Sequence, residues 1–328
     1  MRVVAAPDKF KGTATAAEVA SAICEAARTA SWRCDAVPMA DGGEGTLDAL
    51  GGANRATLVS GPLGDPVRAG WRLVKGHAVI EMAAASGLDR IGGADENDPM
   101  GASTSGTGEL ISAALDAGAR HVLIGMGGSA TTDGGLGALR ALSPFPRLRG
   151  VELVVACDVT TRFLDAAEVF APQKGASASQ VALLQRRLER LAQIYLDEHG
   201  VDVTQLVGGG AAGGLAGGLA AIGASLTSGF AAVAEQLELE DMIEGADLVI
   251  TGEGFLDAQS FDGKVVGGVA EMAATLDVPV LAIAGEVYDG AEERIDAVSL
   301  VQRFGVDRAR AEPLACVAEV VADHLSSW

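Results

Sequence analysis

Aromatic residues make up only 4% of this 328-residue chain, and there are only five lysines against nineteen arginines. Histidine and cysteine occur four times each, and no histidine lies in a recognisable catalytic or metal-binding motif. No pair of cysteines has CxxC spacing, so neither a disulfide framework nor a zinc site is predicted. The net charge of −20 argues against nucleic acid and anionic membrane as partners, because both require a basic face.

The chain is rich in apolar residues and in glycine. Hydrophobic residues reach 49% and there are 44 glycines, so we expect a core of Ala, Val, Leu and Ile with many tight turns. The length predicts roughly two domains. The apolar stretch at the N-terminus is too short for a signal peptide, which predicts a cytoplasmic protein. Uncharged segment 207–234 resembles a transmembrane dimerisation motif, but its Gly- and Ala-rich composition favours a helix packed closely on another backbone.

The predicted strands of a parallel sheet each run into a glycine-rich loop that carries an acid. The acids in these loops are Asp8, Asp41 with Glu44, Asp133, Asp158 and Glu253. Ligands of open α/β sheets bind outside the carboxyl ends of the strands. Five such loops therefore indicate an enzyme site for Mg²⁺ and a phosphorylated ligand.

The most informative loop is GMGGSATTDGGLG at 125–137, which follows a predicted strand at 121–124. Backbone N–H groups at Gly127 and Gly128 can form an anion nest, and the hydroxyls of Ser129 and Thr131 add donors. Asp133 is either the N-cap of the next helix or a ligand of Mg²⁺ or substrate. The loop also matches GxGxxA, but no acid follows at a strand end about 20 residues later. A dinucleotide-dependent oxidoreductase is therefore the weaker alternative.

A second loop, GEG at 252–254, places Glu253, Asp257 and Lys264 close together in sequence, which suits pairing of Mg²⁺ with phosphate. Four of the five lysines lie beside glycine. Glycine lets the backbone approach a ligand closely, and lysine supplies a compact charge that can reach a phosphate. Lys11 and Lys264 are the lysines we assign to neutralising phosphate and carboxylate groups.

The order of predicted elements indicates an α/β fold with two α/β domains. Five parallel strands at the two ends of the chain give a flavodoxin-like, discontinuous domain, 1–55 plus 236–328, with a second α/β domain, 56–235, inserted in it. Within these domains, Thr15 and Glu18 predict a capping box, Thr107 is expected to cap a helix at 108–117, and 297–304 is expected to be a strand.

In combination and order, these motifs resemble the type 1 family of glycerate kinases. The matching segments run nearly end to end: 6–12, 40–46, 61–64, 79–87, 106–111, 125–137, 157–159, 172–175, 210–214 and 246–254 with Gly263 and Lys264. The resemblance implies a discontinuous flavodoxin-like domain beside a second α/β domain. It also implies transfer of the γ-phosphate of ATP to a hydroxyl of D-glycerate, with Mg²⁺ and with the 2-phosphate favoured over the 3-phosphate.

On this basis the catalytic candidates are Asp8, Lys11, Asp133 and Asp158. Any of the three aspartates could accept the hydroxyl proton. The phosphate-binding candidates are Gly127, Gly128, Ser129, Thr131 and Lys264, and the metal candidates are Glu253 and Asp257.

Two departures from the family pattern leave another function open. Phe255 stands where a basic residue is usual, and loop 160–171 differs in sequence and length. A homologue that binds another small hydroxy acid, with or without turnover, is therefore the alternative. The sequence gives no indication of an oligomeric state.

Overall fold

The computed structural model describes residues 1–261, 263–288 and 290–328, and the chain divides into two compact units. The first unit comprises Met1–Asp41, Asp48–Leu50 and Ser228–Trp328, and the second comprises Gly42–Leu47 and Gly51–Thr227. The domain boundaries predicted at 55/56 and 235/236 stay a prediction. The long segment of the second unit begins at Gly51 and ends at Thr227, so both of its ends lie several residues before the predicted boundaries.

The secondary structure alternates between strands and helices along most of the chain. The strands are β1 (Arg2–Ala5), β2 (Arg33–Ala36), β3 (Arg55–Ser60), β4 (Pro66–Val74), β5 (His77–Glu81), β6 (His121–Gly125), β7 (Glu152–Ala156), β8 (Ser225–Thr227), β9 (Leu248–Leu256), β10 (Val280–Val287) and β11 (Ala297–Ser299). The α-helices are α1 (Ala16–Thr29), α2 (Thr46–Ala49), α3 (Ala83–Ser86), α4 (Ser105–Asp116), α5 (Leu136–Leu142), α6 (Ala166–Phe170), α7 (Ala178–His199), α8 (Ala211–Ala221), α9 (Gly229–Gln236), α10 (Leu239–Ile243), α11 (Val265–Thr275), α12 (Leu300–Phe304), α13 (Val306–Ala311) and α14 (Pro313–Ser326).

The first unit is built on a five-stranded sheet in the order β2-β1-β9-β10-β11, with every neighbouring pair parallel. Counted within this unit the order is 2-1-3-4-5, which is flavodoxin-like and confirms the predicted sheet. Strands covered by helices on both faces need apolar residues throughout, and Val3, Val4, Val249 and Ile250 are accordingly fully buried. The strand order reverses between β1 and β9, where such folds bind ligands.

Helix α1 begins as its sequence predicts. The Thr15 hydroxyl accepts a hydrogen bond from the amide of Glu18, and the Glu18 carboxylate accepts one from the amide of Thr15. This capping box satisfies two amides that the helix leaves without an internal partner. The helix then packs Val19 and Ile23 into the same apolar core as Val317 of α14.

The second unit contains a six-stranded sheet in the order β3-β4-β5-β6-β7-β8. Strands β3, β4 and β5 pair antiparallel, whereas β5 to β8 pair parallel. Helix α7 covers part of its core with a stripe that includes Leu184, Leu188 and Leu191, as the amphipathic pattern predicts.

The glycine-rich segment that resembles a membrane motif contains helix α8, whose glycines pack closely against other backbone. A Cβ on Gly218 would lie 2.5 Å from the carbonyl oxygen of Gly134, and one on Gly213 would lie 2.0 Å from that of Thr131. Gly213 also has a φ of 67°, which favours glycine. The close packing predicted for this segment is confirmed. Among the described residues, no helix is long and apolar enough to cross a membrane.

Two local predictions are wrong. The helix expected from residue 108 begins at Ser105 with Thr104 as N-cap, and the Thr107 hydroxyl lies near the Ser86 hydroxyl at 2.9 Å. The strand expected at 297–304 ends at Ser299, whose hydroxyl accepts from the amide of Gln302 and so starts α12. At α12 the Ser299 hydroxyl serves as the cap. Thr104 makes no side-chain capping bond to α4, and its hydroxyl instead donates to Asp133 and accepts from the amide of Ala138. These Thr104 contacts join residues far apart in the chain, so local composition does not predict them.

The expectation of no disulfide is also wrong. Cys24 of α1 and Cys34 of β2 are joined, whereas Cys157 and Cys316 are free thiols. Spacing motifs do not detect this bond because it links a helix to the adjacent strand. The pairing follows from the packing of α1 beside β2.

We expect reduction of this disulfide to lower the free energy of unfolding by about 2–3 kcal/mol, because it closes a loop of roughly ten residues in the unfolded chain. Urea unfolding with and without reductant measures the change, with Cys157→Ser as the control that keeps the response. Four titratable thiols in the unreduced, denatured protein would contradict the pairing.

Candidate functional site

The first unit brings two predicted site residues to the point where its strand order reverses. Asp8 follows β1, and its amide donates to the carbonyl oxygen of Gly252 in β9 at 2.8 Å. Glu253 is the next residue along β9. Gly252 has no room for a side chain, since a Cβ there would lie 2.1 Å from the carbonyl oxygen of Ile283. Backbone packing thus brings Asp8 beside Gly252 and Glu253. Gly252 and Glu253 lie within β9, so the loop predicted at 252–254 is wrong.

Asp8 is largely withdrawn from water, with 9% of its surface exposed. Its Oδ1 accepts a hydrogen bond from the amide of Lys9 at 2.7 Å. The Nζ of Lys9 lies 3.9 Å from both Asp8 and Asp41. Burial raises the pKa of Asp8 to about 6, because the favourable charge of Lys9 offsets only part of the desolvation and Asp41 opposes it.

Glu253 has a similar environment. Burial raises its pKa to about 7, although a hydrogen bond from Ser260 partly opposes the shift, and the negative charge of Asp8 adds to it. Its Oε1 is buried and has no hydrogen-bond partner in the described part of the chain. An unpaired, desolvated carboxylate oxygen is a suitable ligand for a hard cation such as Mg²⁺.

The other predicted residues of this unit have different surroundings. Asp257 Oδ1 accepts from the amides of Gln259 and Ser260, so one of its oxygens stabilises the turn 258–261. Lys264 is the N-cap residue of α11, and its charge favours ionisation of Asp8 and Glu253. The Lys11 side chain is exposed. Among the described residues, no group of three or more His, Cys, Asp or Glu is arranged to hold a metal.

In the second unit, the loop after β6 is shaped by close backbone contacts. A Cβ on Gly125 would lie 2.6 Å from the carbonyl oxygen of Gly42, and one on Gly127 would lie 2.9 Å from the Cα of Gly43. Gly128 has a φ of 70°. The loop runs ten residues before α5 begins at Leu136. A dinucleotide fingerprint opens its helix directly after the strand, so the GxGxxA match does not have that geometry.

Lys174 is a functional candidate that sequence reasoning did not select. It is 3% exposed, and its ammonium group donates to Ser129 Oγ at 2.8 Å and to the carbonyl oxygen of Thr131 at 2.7 Å. Burial lowers its pKa to about 7, and the charge of Asp133 only partly opposes this. Its place beside Gly175 in a family segment was the available signal. Thr131 Oγ1, also buried, has no partner among the described residues.

Asp133 acts as a local anchor. Its carboxylate accepts from the amide and the hydroxyl of Thr104, and from the amides of Gly135 and Gly137. Four donors hold it between the start of α4 and the first turn of α5. The N-cap residue of α5 is Gly135, so the prediction of Asp133 as N-cap is wrong, although its carboxylate accepts from the amide of Gly137 in the first turn. The geometry favours this structural role over that of a proton acceptor, because protonation of the carboxylate would weaken these hydrogen bonds.

Asp158 lies just beyond β7, as predicted. The neighbouring Cys157 has its pKa raised to about 11 by burial, with a smaller contribution from Asp158. A thiol with such a pKa is protonated at neutral pH and is a poor nucleophile.

Comparison with known proteins decides the family. A sequence model of the glycerate kinase family matches residues 3–145 and 143–319. The glycerate 2-kinase of Escherichia coli K12 is 40% identical and covers 94% of this chain and 89% of its own length. The glycerate kinase of Bacillus subtilis 168 is also 40% identical and covers 88% of this chain and 85% of its own length. The crystal structure of a putative glycerate kinase 2 from Salmonella typhimurium LT2 superposes with a TM-score of 0.85 at 36% identity, covering 100% and 98% of the two chains.

The chain belongs to the glycerate kinase family. The resemblance noted in the sequence is thereby confirmed, together with the enzyme class, a phosphotransferase with an alcohol acceptor. Membership of a kinase family also implies the use of ATP. The α/β architecture agrees with that of the Salmonella structure.

Ionisation of Glu253 should destabilise the fold. Its pKa in the folded chain, about 7, lies above its ordinary value of 4.5, so stability falls as pH rises through that window. We expect Glu253→Gln to raise the free energy of unfolding by about 2 kcal/mol at pH 8, and to give no such gain near pH 4. Urea unfolding at both pH values measures this.

The matched control is Glu271→Gln, which removes an exposed carboxylate from α11 of the same unit. Its unfolding free energy should follow that of the unchanged chain at both pH values. An equal pH dependence in the Glu253 variant and the control would show that Glu253 is not desolvated.

Proposed function

We propose that this chain transfers the γ-phosphate of ATP to a hydroxyl of D-glycerate, giving phosphoglycerate, with the 2-phosphate favoured. The observation that supports it most is 40% identity to the E. coli glycerate 2-kinase over 94% of the chain. The desolvated carboxyl groups of the first unit agree with it. Phosphoryl transfer mainly requires positioning, charge neutralisation and an acceptor for the hydroxyl proton.

Asp8 is the proton acceptor in this proposal. A general base works best when its pKa lies near the working pH, and burial brings the pKa of Asp8 to about 6. Asp133 is assigned to holding the loop before α5, on account of its four donors. Asp158 stays a candidate for orienting the substrate hydroxyl.

Mg²⁺ is proposed to bind at Glu253 through its buried Oε1, with Asp257 supplying the oxygen that does not cap the turn. When bound, Mg²⁺ would neutralise charge on the phosphate groups. The residues themselves fit this role because both offer oxygen ligands. Lys264 and Lys11 supply further positive charge toward phosphate in the first unit.

In the second unit, Gly127, Gly128, Ser129 and Thr131 are proposed to bind a phosphate or carboxylate group. Lys174 supports this assignment. Its ammonium bonds to Ser129 and Thr131 hold the loop in place, and its charge makes the loop attractive to an anion. The buried hydroxyl of Thr131, which has no partner within the described part of the chain, is a donor suited to the same ligand.

The direct test is turnover of D-glycerate with ATP and Mg²⁺, followed by phosphorus NMR of the product. We expect glycerate-dependent formation of ADP and a phosphoglycerate whose spectrum identifies the hydroxyl used. Turnover with another hydroxy acid, but not with glycerate, would assign a different substrate. Absence of turnover with every acid tested would support the non-catalytic alternative.

Two variants separate the proposed base from the proposed anchor. We expect Asp8→Asn to lower kcat by roughly 10²–10⁴-fold with the fold unchanged. Asp133→Asn should instead lower the free energy of unfolding by about 1–3 kcal/mol, because a carboxamide has one acceptor oxygen for four donors. Steady-state kinetics and urea unfolding are measured on both, with Glu271→Gln as control. Wild-type turnover in Asp8→Asn would remove Asp8 from this role.

The metal assignment has a test independent of activity. At pH 8, millimolar Mg²⁺ should raise the Tm by roughly 2–4 °C, because the cation offsets the ionised Glu253. The shift should disappear in Glu253→Gln and persist in Glu271→Gln. Equal shifts in all three proteins would place the cation elsewhere.

A further inference from the structure

An exposed pair of aromatic rings lies at the ends of β9 and β10. Phe255 is 50% exposed and Tyr288 is 47% exposed, in a chain with few aromatic residues. Their ring centroids are 6.3 Å apart and their planes differ by 31°. Both rings therefore present much of their surface to solvent, side by side.

The backbone beneath the rings is well supported. Phe255 is paired in register with Glu286 of β10, and the amide of Tyr288 donates to the carbonyl oxygen of Leu256 at 2.9 Å. Leu256 and Ala284 are fully buried in a small apolar cluster at these strand ends. The rings are thus held in place without a ligand, which reduces the entropy lost when a ligand binds.

The pair adjoins the carboxyl groups assigned to metal binding. Phe255 is two residues beyond Glu253 on β9, and a strand rises about 3.3 Å per residue, so their Cα atoms are roughly 7 Å apart. The charge of Asp257 acts on both Glu253 and Tyr288. Residues two apart on a strand point to the same side of the sheet, so phosphates held near Glu253 would lie on the side of β9 that carries the Phe255 ring.

We propose that Phe255 and Tyr288 form a stacking platform for the base of the nucleotide. Aromatic side chains stack on nucleobases through their faces. Exposed rings at the end of a sheet meet this need, whereas a phosphate would gain nothing from them. The platform rests on the proposed use of ATP, and it adds a residue pair that distinguishes a nucleotide from a bare polyphosphate.

The test compares ATP with inorganic triphosphate, both with Mg²⁺, by calorimetry on the intact chain. We expect Phe255→Ala to weaken ATP binding about 5- to 50-fold and to change triphosphate binding less than about twofold, since only ATP carries a base. Tyr288→Ala should act in the same direction, and Phe255→Tyr should restore binding because it keeps the ring.

Trp328→Ala is the matched control. Trp328 is 51% exposed in the same unit but packs against Trp32, which precedes β2, so ATP binding should be unchanged. Equal losses for ATP and triphosphate, or no loss for either, would overturn the platform. So would loss of self-association in Phe255→Ala with ATP binding intact, which would assign the rings to a second copy of the chain.

These outcomes are separable from failure of the proposed function. Binding that depends on the base and on Phe255, without turnover of glycerate, would uphold the platform and reject the kinase proposal. Turnover of glycerate, with nucleotide binding that does not depend on the nucleobase, would uphold the kinase proposal and reject the platform.

Discussion

Desolvation of two carboxyl groups at the strand reversal is the constraint on which the first unit's chemistry depends. A buried carboxylate is costly unless it is paired, and the nearby lysines offset only part of this cost for Asp8 and Glu253. The fold tolerates it because β1 and β9 are held together by apolar residues and by the contact from Asp8 to Gly252. The stability of the sheet thus offsets the cost of burying these carboxyl groups, and a bound cation would lower that cost.

The second unit buries a positive group, whereas the first unit buries negative ones. Lys174 carries its ammonium group into the interior, and the groups that receive it are the Ser129 hydroxyl and the Thr131 carbonyl. Burial therefore disfavours the charged form of this lysine. Glycines let the backbone around this loop approach at distances that a side chain would forbid. An anion at this loop would favour the charged lysine, just as a cation favours the charged carboxylates of the first unit.

The sequence predicts those parts of the molecule that depend on local pattern. Continuous apolar runs predict β1 and the start of β9, and Asp8 follows β1 as predicted. Glu253 is expected from the sequence in the loop after its strand but lies within β9, because pairing with β10 extends that strand to Leu256. Lys174 could not be selected in this way, because its significance comes from contacts with a loop more than forty residues away. The disulfide of Cys24 with Cys34 likewise depends on which helix packs beside which strand. For Asp133 the sequence left capping and catalysis open, since the deciding donor, Thr104, is distant in the chain.

The coupling between Asp8 and Glu253 suggests how metal and proton could be linked. The negative charge of Asp8 is one cause of the raised pKa of Glu253. A cation held by Glu253 would replace that repulsion with attraction and so favour the ionised form of Asp8. By reciprocity, ionised Asp8 would strengthen cation binding by the same factor. On the proposed assignment, the proton acceptor is then most fully deprotonated when the metal is bound. The burial of Asp8 and Glu253 at the same end of the sheet thus couples metal binding to deprotonation of the base.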